Sequence, residues 1–250
     1  MDMMYTIVFG IFGLVLGSFY NVIGLRVPKG ESIVNPPSYC ISCGKRLTAL
    51  ELIPVLSYLM QGRKCKGCGV KMSPIYCFTE IVTALLFALC YVKFGFTTEL
   101  VVAFLFVSLL VIINVSDIAY MLIPNKILLF FLPFLIVARI ISPLEPWWDS
   151  LLGAVIGFGV LLLIAVISKG GMGGGDIKLF FLLGLVLGTV HTLLTLFLAS
   201  VFGVIVGNIV LKVRDQGRKT PIPFGPSIAV GALLAYFYGE QLIEWYWRVF

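Results

Sequence analysis

Eight long apolar runs, separated by short polar segments, constrain the fold of this chain more than any other feature. We interpret each run as a helix that can cross the roughly 30 Å hydrocarbon core of a membrane. Because 60% of the 250 residues are apolar and only 12% are charged, lipid must be the solvent for most of the chain. The runs lie near Tyr5–Gly24, Cys77–Phe94, Leu100–Val115, Ile123–Ile141, Leu151–Ile167, Leu179–Val190, Leu193–Leu211 and Phe224–Ile243. The sequence therefore predicts an all-α polytopic membrane protein with about eight transmembrane helices.

The placement of the basic residues predicts the orientation, since cytosolic segments of membrane proteins are enriched in Lys and Arg. Asp2 is the only charged residue before the first run, whereas the basic residues Arg26 and Lys29 follow it. We therefore expect a retained helix with its N-terminus outside. In that orientation all but three of the 18 basic residues are cytosolic. The three exceptions are Lys93, Arg139 and Arg248. Merging the sixth and seventh runs around His191 would move the basic cluster Lys212–Lys219 outside, which favours eight spans.

One polar segment, residues 25–76, carries two CxxC pairs, and a glycine follows each pair. Two such turns can point four thiolates at one tetrahedral ion, and a segment this small needs a metal or disulfides to fold. The expected cytosolic location argues against stable disulfides. We predict a structural zinc, with a redox or disulfide framework as the alternative. The predicted ligands are Cys40, Cys43, Cys65 and Cys68.

Two aspartates sit at membrane boundaries, where a carboxylate is costly and is by default a functional candidate. Asp117 ends the third run, and Asp176 follows a glycine-rich stretch between the fifth and sixth runs. The charge-derived topology places both at the cytosolic boundary. Two neighbouring carboxylates can share acid and base roles, one polarising a carbonyl and the other activating water. The alternative is that both aspartates cap helices or pair with Lys126 and Lys178.

Glu80 begins the second run and faces the polar segment. It can contact a cationic ligand or form an interfacial ion pair, and the sequence leaves both roles open. His191, the one histidine, falls on the expected outer side, and we interpret it as a loop residue. The basic residues flank apolar runs and form no aromatic-interleaved stripe, so nucleic acid is not an expected partner.

Taken together, these motifs resemble the type IV prepilin leader peptidase family, aspartic peptidases of the GxGD type that also N-methylate their product. The resemblance covers nearly the whole chain. Its elements are Gly17-Ser-Phe-Tyr-Asn-Val22, Arg26-Val-Pro28, the two CxxC pairs with Ile53-Pro-Val-Leu-Ser-Tyr58 between them, Asp117 with Ile123-Pro124, Gly171-Met-Gly-Gly-Gly-Asp-Ile-Lys178 and Pro223-Phe-Gly-Pro226. One stretch departs from the family, which often has Arg-Tyr-Pro where this chain has Ile75-Tyr-Cys77.

The resemblance implies a bacterial inner-membrane enzyme whose partners are lipid and prepilin or pseudopilin precursors. Asp117 and Asp176 would cleave a short basic leader after a glycine, at the cytosolic face. S-adenosylmethionine would then methylate the freed amine, usually of phenylalanine. Glu80 would be a cofactor-binding residue associated with methyl transfer, and zinc would stabilise the cytosolic segment.

These expectations divide the chain into a first transmembrane helix (1–24), a zinc-binding segment associated with methyl transfer (25–76) and a seven-helix peptidase domain (77–250). Three alternatives remain. The chain can be a peptidase only, or another GxGD-type intramembrane peptidase without the zinc segment. A non-enzymatic transporter or assembly factor would need polar residues at mid-membrane depth, and the eight runs carry few of them.

Overall fold

The computed structural model describes residues 2–169, 171–214 and 223–249, and within them the chain is helical, without strands. Gly170 and the basic residues Arg218 and Lys219 lie outside these ranges. The helices are α1 (Asp2–Arg26), α2 (Leu56–Met60), α3 (Pro74–Phe94), α4 (Thr98–Tyr120), α5 (Asn125–Ile141), α6 (Asp149–Ile167), α7 (Gly174–Arg214) and α8 (Gly225–Val249). The all-α prediction is confirmed.

Within the residues that the structure describes, five helices are long and apolar enough to cross a membrane, which supports an integral membrane protein. They are α1, α3, α4, α6 and α7. The predicted count of eight spans is not confirmed: α5 has 17 residues, and α8 carries Glu240, Glu244 and Arg248 in its last turns. At 41 residues α7 would extend about 60 Å if it were straight, roughly twice the hydrocarbon thickness.

A break inside α7 resolves the boundary between the sixth and seventh runs. Gly188 has non-helical angles, with φ 73° and ψ −176°, so the helix consists of two segments. The break lies three residues before His191, which is itself helical and would contact any side chain added at Gly239 of α8. The interpretation of His191 as a loop residue is therefore wrong. Apolar periodicity continues through Gly188, so only the backbone angles reveal where the helix breaks.

The chain divides into two compact units, Met1–Val115 and Ser116–Phe250. In the first unit α1 packs closely against α3. A Cβ at Gly13 would lie 2.8 Å from Ala84 Cα, and one at Gly17 would lie 2.9 Å from Glu80 Cα. Small residues permit such close helix packing in membranes. This packing brings together the two ends of the polar segment that connects α1 to α3.

In the second unit glycines let α7 approach the helices on either side of it. Gly153 of α6 and Gly184 of α7 touch through their backbones, leaving no room for a Cβ on either. A Cβ at Gly231 of α8 would lie 2.9 Å from the backbone of Thr195 and Ala199 in α7. The second unit is thus a bundle whose helix positions depend on the absence of side chains at these crossings.

Candidate active site and metal centre

Asp117 lies in the last turn of α4 and is buried, with 6% of its surface exposed. Its Oδ2 accepts a hydrogen bond from the backbone N–H of Gly225, the first residue of α8, at 2.6 Å. A Cβ at Gly225 would lie 2.6 to 2.9 Å from three atoms of the Asp117 side chain, so this approach requires glycine. Asp117 opposes the dipole of its own helix, but its bond to Gly225 places the carboxylate at the N-terminus of α8, so part of the capping alternative holds here.

A tight reversal after α4 returns the chain toward Asp176. The hydroxyl of Ser116 donates to the carbonyl of Leu122 at 2.6 Å, and Met121 adopts a left-handed φ of 50°. The reversal places Ile123 against the glycine-rich stretch, where a Cβ on Gly175 would lie 2.7 Å from Ile123 Cβ. The glycine stretch and the segment after Asp117 are therefore in direct contact.

Asp176 is half-buried in the first turn of α7, where its N–H donates to the carbonyl of Gly173 at 3.1 Å. An acidic residue is favourable at this end of a helix, so part of the capping alternative holds for Asp176. Lys178 donates to Asn125 Oδ1 at 3.0 Å, a second tie between the two segments. The carboxylates of Asp117 and Asp176 are close enough to interact electrostatically.

The arrangement brings two carboxylates, separated by 59 positions in the sequence (176 minus 117), into one site in the second unit. Two carboxyl groups that interact in a partly dry site resist ionising together, so one can carry a proton while the other acts as a base. Such a pair can polarise a carbonyl and activate a water molecule without a metal ion in that step.

The four predicted cysteine ligands meet in the first unit on two similar knuckles. In one, Gly44 donates its N–H to the carbonyl of Cys40; in the other, Gly69 donates to Cys65 in the same way. Both glycines have left-handed φ angles, 69° and 71°. An isolated antiparallel β-bridge closes each knuckle: Tyr39 pairs with Arg46 in the first, and Lys64 pairs with Lys71 in the second. The same turn therefore occurs twice, 25 residues apart (65 minus 40).

The sulfur atoms have the spacing of a tetrahedral metal site. Cys40 Sγ lies 3.8 Å from Cys68 Sγ, Cys43 Sγ lies 3.9 Å from Cys65 Sγ, and all four lie within 4.8 Å of one another. Zinc–sulfur bonds of about 2.3 Å in a tetrahedron separate sulfurs by about 3.8 Å. The cluster could therefore hold a metal ion.

Backbone N–H groups prepare part of this cluster for metal binding. The N–H groups of Cys43 and Ser42 lower the pKa of the Cys40 thiol to about 6. The pKa of Cys65 is also lowered, by the N–H groups of Cys68 and Gly67. For Cys68 the N–H of Val70 acts in the same direction, but burial and the neighbouring thiols outweigh it and raise the pKa to about 11. A central cation would remove this conflict among the sulfurs.

Glu80, the predicted cofactor-binding residue, is buried in the second turn of α3. Its Oε2 accepts the N–H of Val55 at 2.8 Å. Val55 has φ 61°, which is strained for a β-branched residue. The carboxylate thus holds the strained start of α2, within the Ile53–Tyr58 stretch, against the head of α3.

One structural carboxylate in the polar segment, that of Glu51, was not predicted from the sequence. Glu51 is buried, accepts from the N–H of Thr48 at 2.9 Å and pairs with Lys45 at 3.0 Å. The Thr48 N–H and the Lys45 ammonium hold the pKa of Glu51 at about 2. The sequence pattern that predicts this role for Glu51 is the capping box Thr48-Ala-Leu-Glu51.

Comparison with known proteins gives consistent matches along the chain. Residues 11–94 match the Bacterial Peptidase A24 N-terminal domain, and residues 104–208 match the Type IV leader peptidase family. A "Prepilin leader peptidase/N-methyltransferase" of Bacillus subtilis (strain 168) is 49% identical over 97% of this chain and 98% of its own length. A protein of that name from Pseudomonas aeruginosa is 33% identical over 94% of this chain and 90% of its own length. Another, from Legionella pneumophila, is 31% identical over 97% of this chain and 94% of its own length. No solved structure gives a significant match.

Proposed function

Because this chain belongs to the type IV leader peptidase family, we propose that Asp117 and Asp176 are the catalytic pair with which it removes leaders from prepilins. The enzyme class is prepilin leader peptidase with N-methyltransferase activity. The observation that carries the assignment of the pair is the Asp117 carboxylate, which is buried in the last turn of a helix and oriented by the Gly225 N–H. The same bond caps the N-terminus of α8, but a cap does not need a second carboxylate beside Asp117, and Asp176 supplies one.

In the proposed reaction, the protonated carboxyl group of the pair donates a hydrogen bond to the scissile carbonyl. The ionised partner takes a proton from water, whose oxygen attacks the carbonyl carbon. The tetrahedral intermediate then collapses, and a proton passes from the pair to the departing amine. The Gly225 N–H fixes the orientation of the Asp117 carboxylate throughout. The bond cleaved follows a glycine that ends a short basic leader, in prepilin or pseudopilin precursors.

We assign methyl transfer to the first unit, around the polar segment of residues 25–76. S-adenosylmethionine supplies the methyl group, and the amine of the new N-terminal residue, usually phenylalanine, receives it and loses a proton. Glu80 is the proposed carboxylate for this half of the function. Its contact with the Val55 N–H supports a role in holding the Ile53–Tyr58 stretch in place for the methyl donor.

The metal in the cysteine cluster is proposed to be zinc, with a structural role. Cys40, Cys43, Cys65 and Cys68 would hold it, and its binding energy would stabilise a segment that is too small to fold on an apolar core alone. The proposed division of the chain then describes function. Residues 1–24 are a membrane anchor, residues 25–76 a methyl-transfer segment ordered by metal, and residues 77–250 a peptidase region.

We place the protein in the bacterial inner membrane, with both active regions on the cytosolic side. The distribution of basic residues supports this orientation. Accessibility labelling of Cys40 and of a Lys212→Cys variant is the appropriate test. Labelling of both from the cytosolic side is expected, and labelling of the two from opposite sides would contradict the topology.

The function is tested by incubating the purified protein in detergent with a model prepilin and following the products by mass spectrometry. We expect a released leader ending in glycine and, after addition of S-adenosylmethionine, a mature chain heavier by one methyl group. A prepilin with that glycine replaced should remain intact. If the mature chain appears but never gains the methyl group, the protein is a peptidase only; an uncleaved substrate would contradict the proposal.

A further inference from the structure

Arg139 is a buried cation in the last turn of α5, with 6% of its surface exposed. A charged side chain inside a membrane domain is costly and needs a specific partner. Its Nε and Nη2 both donate to the carbonyl of Val186 in α7, at 3.1 and 2.6 Å, and its Nη1 donates to the carbonyl of Ser142 at 3.1 Å. The guanidinium therefore binds backbone carbonyls, most closely the one just before the break in α7.

The break itself requires glycine. The angles of Gly188 are strongly unfavourable for any residue with a side chain, and a Cβ there would collide with Asp149 Oδ2. A broken helix leaves carbonyls before the break and N–H groups after it without partners inside the helix. These unpaired backbone groups must be hydrogen-bonded by other parts of the protein, because lipid cannot replace them.

Two opposite charges satisfy the two sides of the break. Arg139 donates hydrogen bonds to the Val186 carbonyl, at the end of the first segment of α7. Asp149, the first residue of α6, accepts the N–H of Thr189 through both carboxylate oxygens at 3.2 Å, on the side that begins the second segment. A cation at a helix C-terminus and an anion at a helix N-terminus both match the helix dipole.

The two segments of α7 carry different parts of the candidate active site. Asp176 lies at the start of the first segment. The second segment packs against α8 at Gly231, and the N–H of Gly225 at the start of α8 orients Asp117. The angle between the segments therefore sets the position of Asp176 relative to the group that holds Asp117.

We propose that Arg139 and Asp149 are positioning residues for peptide cleavage, which hold Asp176 in register with Asp117 by fixing the break at Gly188. This inference rests on the proposed function of the aspartate pair. Asp176 and Gly188 are twelve positions apart (188 minus 176), which corresponds to about 18 Å of helix, so Arg139 and Asp149 act from the far end of the segment.

The test measures kcat and KM for prepilin cleavage in Arg139→Gln, Arg139→Lys, Asp149→Asn and the double variant Arg139→Gln/Asp149→Asn. A misplacement of about 1 Å far from the chemistry can cost about 100-fold, so we expect kcat to fall roughly 10- to 100-fold with KM nearly unchanged. Arg139→Lys should lie between Arg139→Gln and the unaltered protein, because lysine keeps the charge but not the fork of donors. The double variant should lose less than the product of the single effects, since both residues hold one break.

Methylation of a pre-cleaved pilin by the same preparations separates positioning from general destabilisation, and we expect it to be unchanged. Gly159→Ala is the matched control: a Cβ at this position of α6 meets nothing within 4 Å, and the variant should cleave normally. Normal kcat in Arg139→Gln, or equal losses of cleavage and methylation, would overturn the inference. Failure of the unaltered protein to cleave would instead overturn the proposed function.

Discussion

Gly225→Ala tests whether the geometry around Asp117 determines the rate of cleavage. Alanine keeps the backbone N–H that donates to Asp117, so the change is steric. The added Cβ would lie 2.6 Å from Asp117 Oδ2 and 2.9 Å from its Cβ and Cγ. Favourable contacts begin at about 3.5 Å, so either the carboxylate or the start of α8 must move by roughly 0.9 Å. A displacement of this size at a reacting group should lower kcat by roughly 10- to 100-fold.

The assay is prepilin cleavage followed by mass spectrometry, with methylation of pre-cleaved pilin measured in the same preparation. Gly159→Ala is the matched control, since a Cβ at Gly159 in α6 meets nothing within 4 Å and alanine favours a helix. We expect Gly159→Ala to cleave normally and Gly225→Ala to methylate normally while cleaving slowly. Normal cleavage by Gly225→Ala would refute the reasoning, because the Asp117 carboxylate would then tolerate displacement.

Three further predictions concern the metal, the two activities and pH. Elemental analysis should find about one zinc per chain, lost when all four knuckle cysteines become serine; less than about half an equivalent, with no other metal bound, would count against the site. Asp117→Asn should fail to methylate full-length prepilin but methylate pre-cleaved pilin at a near-normal rate, because it lacks only the cleaved substrate; loss of both activities would place Asp117 in methyl transfer too. The depressed pKa of Glu51 contributes stability that is fully present above its ordinary value of 4.5 and is lost as pH falls toward about 2. At pH 7, where the Glu51 carboxylate is ionised and the thiolates can bind metal, Glu51→Gln should therefore make residues 25–76 more sensitive to trypsin, and equal resistance would argue against the ion pair.

Local features of the sequence were enough to predict the all-α fold and the cysteine cluster. An apolar run forms a helix because lipid leaves no other way to pair its backbone groups, so composition alone locates it. Each cysteine knuckle closes within six residues of chain, as in Cys40 to Lys45, so its spacing encodes its turn. The family resemblance, confirmed by the matches over nearly the whole chain, rested on these same local motifs.

Contacts between distant residues could not be predicted in this way. The Gly225 N–H reaches Asp117 across 108 positions, and spacing does not encode this contact. Arg139 was predicted to be one of three basic residues on the outer side, but its guanidinium donates to the backbone carbonyl of Val186, which no side-chain pattern marks. The break in α7 depends on the backbone angles of Gly188, which apolar periodicity does not report.

Cleavage of a model prepilin by Asp117→Asn, Asp176→Asn and the double variant tests the proposed catalytic pair most directly. Asparagine keeps the size and polarity of each side chain and removes only the titrating group. Because members of a catalytic unit are not additive, each single variant should nearly abolish leader release, and the double variant should be no slower than either. Methylation of pre-cleaved pilin should persist in all three, which verifies that the first unit is folded. Normal leader release by Asp176→Asn or by Asp117→Asn would contradict the assignment of this pair.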